Sequence, residues 1–100
     1  MGKTNQVTQE QIDAWKAQFE NVFKITVEDK VCYLKSPDRK TLSYASAVGT
    51  KDPMKFNEIL LKNCWLAGDE EIKTKDSYFM SVSAQLAEII EIKDAKLEKL

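Results

Sequence analysis

Histidine does not occur in the 100 residues, and its absence removes the commonest general base near neutral pH, the commonest zinc ligand and the usual partner of a nucleophilic serine or cysteine. An enzyme is therefore not expected. Glycine occurs three times, and no glycine-rich loop leads into a lysine and a hydroxyl residue in the order a phosphate cradle needs, so no nucleotide cofactor is expected. Only two cysteines are present, Cys32 and Cys64, with neither a CxxC spacing nor other soft ligands nearby, which gives a structural metal site no support. The pair has the residues for a disulfide, but two cysteines without a secretion signal are better read as reduced, buried, small hydrophobes.

No charge of one sign dominates. Lys plus Arg number 15 against 16 Asp plus Glu, for a formal charge of -1, and the two signs are mixed along the chain. Nucleic-acid binding through phosphate neutralisation is not expected from such a balance. Long hydrophobic runs are missing as well: nothing approaches the roughly 18 residues that cross a bilayer, and the start, MGKTNQVTQEQ, is polar without an h-region. The expectation is a cytoplasmic protein without membrane contact. The run Asp69, Glu70, Glu71 crowds three carboxylates together but lacks the alternate spacing of a calcium loop, so it reads as a solvated acidic link.

What is present is apolar helix surface. With 43% hydrophobic residues the chain has enough for one core, and no internal repeat or linker divides it, so residues 1–100 are expected to form a single domain. Within it, residues 1–7 are expected to be a flexible lead-in, and 94–100 a protruding helical tail. Thr8 and Gln11 make a capping box ahead of a stripe at Ile12, Trp15 and Phe19, predicting a helix from Gln9 to about Glu20. Phe23, Ile25 and Val27 then alternate with polar residues, and Val31 to Leu34 follow a polar turn at Glu28, Asp29 and Lys30, which predicts a β-hairpin. Without glycine in the turn, a type I′ geometry is not signalled.

Ser36, Pro37 and Asp38 supply a hydroxyl cap, a proline for the first helical position and an acid near the helix start, predicting a second helix over 38–48 that ends at Gly49. Asp52 and Pro53 repeat the signal for a third, which is predicted to run to Ala67 and close at Gly68. A last helix starts near Thr74 or Asp76, with Phe79, Val82, Leu86, Ile89 and Ile90 on one face. Lys93 interrupts that stripe; Leu97 and Leu100 either extend it or belong to a short helix capped by Asp94. The predicted fold class is α+β, mainly helical: a helix, a β-hairpin lying across the helices, then three helices packed as a small bundle.

The third helix carries apolar residues on two sides, with Phe56, Ile59, Leu60, Cys64 and Ala67 on one and Met54, Leu61 and Trp65 almost opposite. Two readings are open. The second stripe faces the hairpin or the last helix inside the core, or it is a docking strip, with Trp65 as an aromatic anchor and Met54 adaptable beside it. Leu97 and Leu100 form a second candidate docking element. Asn63, on the larger apolar side, needs a backbone, water or partner contact, and Arg39, the only arginine, is either a fork onto a neighbouring carboxylate or a surface cation.

From VCYLKSPDRKTLSYA through DPMKFNEILLKNCWLAGDEEI the chain resembles the small tail assembly chaperones of long-tailed bacteriophages and prophages. The resemblance rests on a strand end at Tyr33 and Leu34, a Pro-x-Arg helix start at Pro37 and Arg39, a DP-capped helix ending in Asn63 to Asp69, and a closing helix. It implies a non-enzymatic protein that binds the tape-measure protein during tail assembly and shields it until tail tube subunits take its place. The candidate partner-binding residues are then Met54, Leu61, Trp65, Leu97 and Leu100, and the surplus apolar surface also admits a homo-oligomer. Two other classes are kept: a structural or adaptor tail protein retained in the virion, and a small regulatory protein-binding module of the antitoxin kind.

Overall fold

Every backbone group that leaves water needs a partner, and this chain satisfies that demand with one small sheet and a set of short helices. The computed structural model describes residues 7–90 and 95–100. Helix α1 spans Gln9–Gln18, strand β1 Val22–Val27, strand β2 Lys30–Lys35, helix α2 Arg39–Gly49 and helix α3 Pro53–Cys64. Strand β3 (Trp65–Gly68), helix α4 (Glu71–Thr74), helix α5 (Asp76–Ser83) and a 3₁₀ turn over Leu86–Ile89 complete it. The fold is mixed α+β and mainly helical, with a three-stranded antiparallel sheet in the order β1-β2-β3.

The expected capping box is present: Thr8 Oγ1 accepts from the Gln11 N–H at 3.2 Å, and Gln11 Oε1 accepts from the Thr8 N–H at 3.0 Å. The hairpin pairs Val27 with Lys30 across a two-residue turn, Glu28 and Asp29. Only Glu28 of these two has a positive φ, at 55°, the sign pattern of a type II′ turn.

Alternation sends Ile25, Cys32 and Leu34 to one face of the sheet, where they join Leu60, Leu61 and Cys64 of α3, Ile72 of α4, Val82 of α5, and Leu86 and Ile89 in a single core. Burying each large side chain of this set contributes on the order of 1.5–3 kcal/mol. Tyr33 points to the opposite face, where α1 lays Trp15 against it with ring centroids 5.7 Å apart, and Lys35 Nζ sits 4.9 Å from the Phe19 ring centroid. The sheet thus lies between α1 and the remaining helices.

The chain departs from expectation at several points. Helix α3 stops at Cys64, not Ala67, because Trp65 turns extended and Trp65, Ala67 and Gly68 pair with Leu34, Tyr33 and Cys32. Pairing with the second edge of β2 overrides a local pattern that continues as helix. Gly68 is accordingly a sheet glycine rather than a helix cap: a Cβ there would lie 2.6 Å from the Cys32 Cα. At α2 the cap is Asp38, whose Oδ1 accepts from the Thr41 N–H at 2.8 Å, while the buried Ser36 hydroxyl has no hydrogen-bond partner among the described residues. A residue ahead of proline is held extended, so Ser36 stays outside the helix.

The last helix is broken. Ser81 Oγ donates back to the Ser77 carbonyl at 3.0 Å, a bond that bends helices, and α5 gives way at Ser83 to the 3₁₀ turn. Val82, Leu86 and Ile89 stay buried through the break, because spacings of four and three serve both helix types. The expected flexible lead-in falls largely on 1–6, and Lys93 and Asp94 on 91–94, outside the described residues. The helical tail is corrected in its described part: residues 95–100 have no helix.

Candidate functional site

The largest exposed side chains with apolar area are Tyr44, Met54, Met80, Leu97 and Leu100. They do not form one strip. Met54 sits in the first turn of α3, 36% exposed, its N–H donating to Asp52 Oδ1 at 3.2 Å. Leu61, one turn before the helix end, is 2% exposed and belongs to the core, so the proposed second stripe of Met54, Leu61 and Trp65 is interrupted at its centre. Trp65 has left the helix and lies half-buried against the core, with Lys73 Nζ 4.4 Å from its ring centroid. Leu97 and Leu100 are 99% and 110% exposed, apart from these.

The surface with shape lies instead between α2 and α3. These helices pack together because Gly49 lacks a side chain: a Cβ there would stand 2.8 Å from the Phe56 Cβ. Along their outer side runs a depression of about 340 Å³ lined by Tyr44, Val48, Lys55, Glu58, Ile59 and Lys62. A second depression of about 260 Å³, lined by Glu58, Leu61, Lys62, Lys73 and Phe79, shares Glu58 and Lys62 with the first. Leu61 serves here as a floor. The first is a trough between α2 and α3 with Val48 and Ile59 at its apolar bottom and a rim of both charges; the second lies on the other side of the Glu58–Lys62 row of α3, against α4 and α5, and reaches the lysine that covers Trp65. Tyr44 is 60% exposed, and its i,i+4 relation to Val48 was the available sequence signal for this face.

The other singled-out polar residues have structural roles or none. Asn63 lies on the exposed side of α3, not on its apolar side, and its Nδ2 donates to the Ile59 carbonyl at 2.8 Å. Arg39 is exposed at the first position of α2, and no carboxylate pairs with it among the described residues. The acidic run is not simply solvated: Asp69 Oδ2 accepts from the Val31 N–H at 2.9 Å, Glu70 pairs with Lys73 at 3.2 Å, and Glu71 pairs with Lys30 at 2.9 Å. That last contact raises the Lys30 ammonium above its ordinary range, chiefly through the hydrogen bond to Glu71.

Both thiols are free and buried, and burial pushes each up to about 11. A thiol held protonated at neutral pH is a poor nucleophile. Among the described residues no three His, Cys, Asp or Glu side chains are grouped to hold a metal ion, and no helix is long and apolar enough to cross a membrane. Comparison with family models, with characterised proteins and with solved structures finds no match to this chain.

Proposed function

We propose that this protein is a non-enzymatic tail assembly chaperone of a long-tailed bacteriophage or prophage, which binds the tape-measure protein in the host cytoplasm and releases it as tail tube subunits assemble. The observation that carries the reading is the trough between α2 and α3: an apolar floor at Val48 and Ile59, exposed Tyr44 beside it, and Lys55, Glu58 and Lys62 along its rim. An amphipathic helix fits such a groove by placing anchors at i, i+3, i+4 and i+7 on the floor while its flanking charges meet the rim. A mixed rim suits temporary binding, since exposed ion pairs add little affinity.

The resemblance supports the reading at the level of the fold. Two of the features that carry it, the strand end at Tyr33 and Leu34 and the segment Asn63 to Asp69, meet in space as the β2–β3 pair. Met54 and Trp65 flank the trough's helix, and Leu97 and Leu100 supply a separate apolar arm.

Co-expression with the tape-measure product of the same genome tests the proposal. The chaperone is expected to co-purify with that protein and raise its soluble yield; failure of both would end the assignment. Mass spectrometry of purified particles separates the adaptor class, because a chaperone is expected to be missing from the finished virion.

A further inference from the structure

We propose that α1 is a releasable strap: it opens from the outer face of the sheet as one unit, pivoting at residues 20 and 21, while the sheet and the core behind it stay folded. The inference is independent of the chaperone reading. Ile25 pairs with Cys32 and Phe23 with Leu34 on the face that meets the core, so alternation puts Val31, Tyr33 and Lys35 on the other face, with Ala67 across from Tyr33. That second face is the one α1 covers.

The anchors of the strap are Ile12, Trp15 and Phe19, at spacings of three and four along one side of the helix and its cap. Trp15 lies against Tyr33 with the rings tilted by 44°, and Lys35 sits over Phe19. None of the three anchors is fully buried, and neither is Val31, Tyr33 or Ala67; α1 has no buried residue along its length. The core and the apolar side chains packed on it include none of these six. The sheet thus separates two apolar layers, a closed one on Leu34, Leu60 and Ile72 and an open one under α1.

Layers that share no side chain open separately, and the less buried one opens first. The polar bonds of α1 point the same way. Thr8 bonds with Gln11 and Gln9 donates to Asp13, so these contacts close within the segment and stabilise it as a helix without fastening it to the sheet. Ten residues fall short of the roughly 12–15 that hold a helix alone in water, so release and unwinding coincide and opening is one step. Phe19 is already extended, at φ -116° and ψ 149°, and β1 stays pinned by its register with β2 from Val22 to Val27. Opening uncovers an aromatic patch centred on Tyr33, between Lys24 and Ala67 of the neighbouring strands.

Hydrogen exchange of the full chain at increasing sub-denaturing urea tests the strap. The amides of residues 12–19 are expected to share one opening equilibrium, to exchange about tenfold or more faster than those of β2 and α3, and to depend little on urea because opening exposes little surface. Trp15→Ala is expected to reduce their protection to that of an unstructured chain, while β2 and α3 lose no more protection than α1 itself had in the parent. Exchange of residues 12–19 at the rate and urea dependence of β2, graded fraying from one end with no shared equilibrium, or a larger loss at β2 and α3 in a folded Trp15→Ala variant would each overturn the proposal. The exchange pattern of the parent needs no substitution, so it decides the matter if Trp15→Ala does not fold.

Discussion

Val31 and Asp69, 38 residues apart, exchange two hydrogen bonds of 2.9 Å: the Val31 N–H donates to the Asp69 carboxylate, and the Asp69 N–H donates to the Val31 carbonyl. The pair sits where β3 ends and α4 begins. It lets the carboxylate take the place of the next residue of a strand, so that the chain leaves the sheet without orphaning the backbone of β2. The same clamp brings α4 to the sheet, where Ile72 enters the core and Glu71 reaches Lys30.

Asp69→Ala is expected to cost about 1–3 kcal/mol, because it strands the Val31 donor in a half-buried place. Asp69→Asn keeps an acceptor oxygen and is expected to retain much of the stability. Urea unfolding of the two variants beside the parent separates the outcomes; equal losses in both would mean that charge, not the hydrogen bond, holds the junction.

Gly68→Ala is expected to be among the most damaging single changes. The new Cβ would lie 2.6 Å from the Cys32 Cα and 2.7 Å from the Val31 carbonyl oxygen, both backbone atoms, at a φ of 153° that side chains rarely adopt. Strain and overlap together are expected to cost about 3 kcal/mol or more. Gly49→Ala is the control: its Cβ meets the Phe56 side chain, and the gain in helix propensity, about 1 kcal/mol, offsets part of the crowding. Thermal melts are expected to rank Gly68→Ala well below Gly49→Ala.

The buried thiols make stability fall in alkali. Each is held up to about 11 from an ordinary value near 9.0 by burial. The folded state therefore keeps its protons where the unfolded chain loses them, and the stabilisation is complete below about pH 9 and lost as the pH rises toward 11. Melting temperatures measured from neutral pH upward are expected to drop in that window, and less steeply for Cys64→Ala. At neutral pH, labelling of either thiol is expected to follow global unfolding.

The helix starts, the hairpin and most of the core were legible because caps and periodicity are local. Thr8 with Gln11, and Asp52 with Pro53, satisfy or remove nearby backbone donors, and the structure uses them as read. Strand β3 was not legible: Trp65 to Ala67 continue a helical pattern, and only the unpaired edge of β2, a tertiary demand, draws them out. That one change also took Trp65 off the helix, while Leu61 went inside. The trough was missed for a related reason, since it needs α2 and α3 side by side and Tyr44 belongs to a helix whose pattern gave no surplus face.

Tyr44 is the side chain on which the binding proposal is most exposed to test. At 60% exposure it lies outside the core, so Tyr44→Ala is expected to leave stability within about 0.5 kcal/mol of the parent. An aromatic anchor at the end of an apolar groove commonly contributes about 2 kcal/mol to a helix-in-groove complex, so the same change is expected to weaken tape-measure binding more than tenfold in calorimetry. Changing Leu97 and Leu100 together to serine tests the other apolar element without touching the trough, as both lie fully outside the fold. Loss with Tyr44→Ala alone places the partner between α2 and α3. Loss with the leucine pair alone moves the site to the arm and leaves the trough without a role in binding.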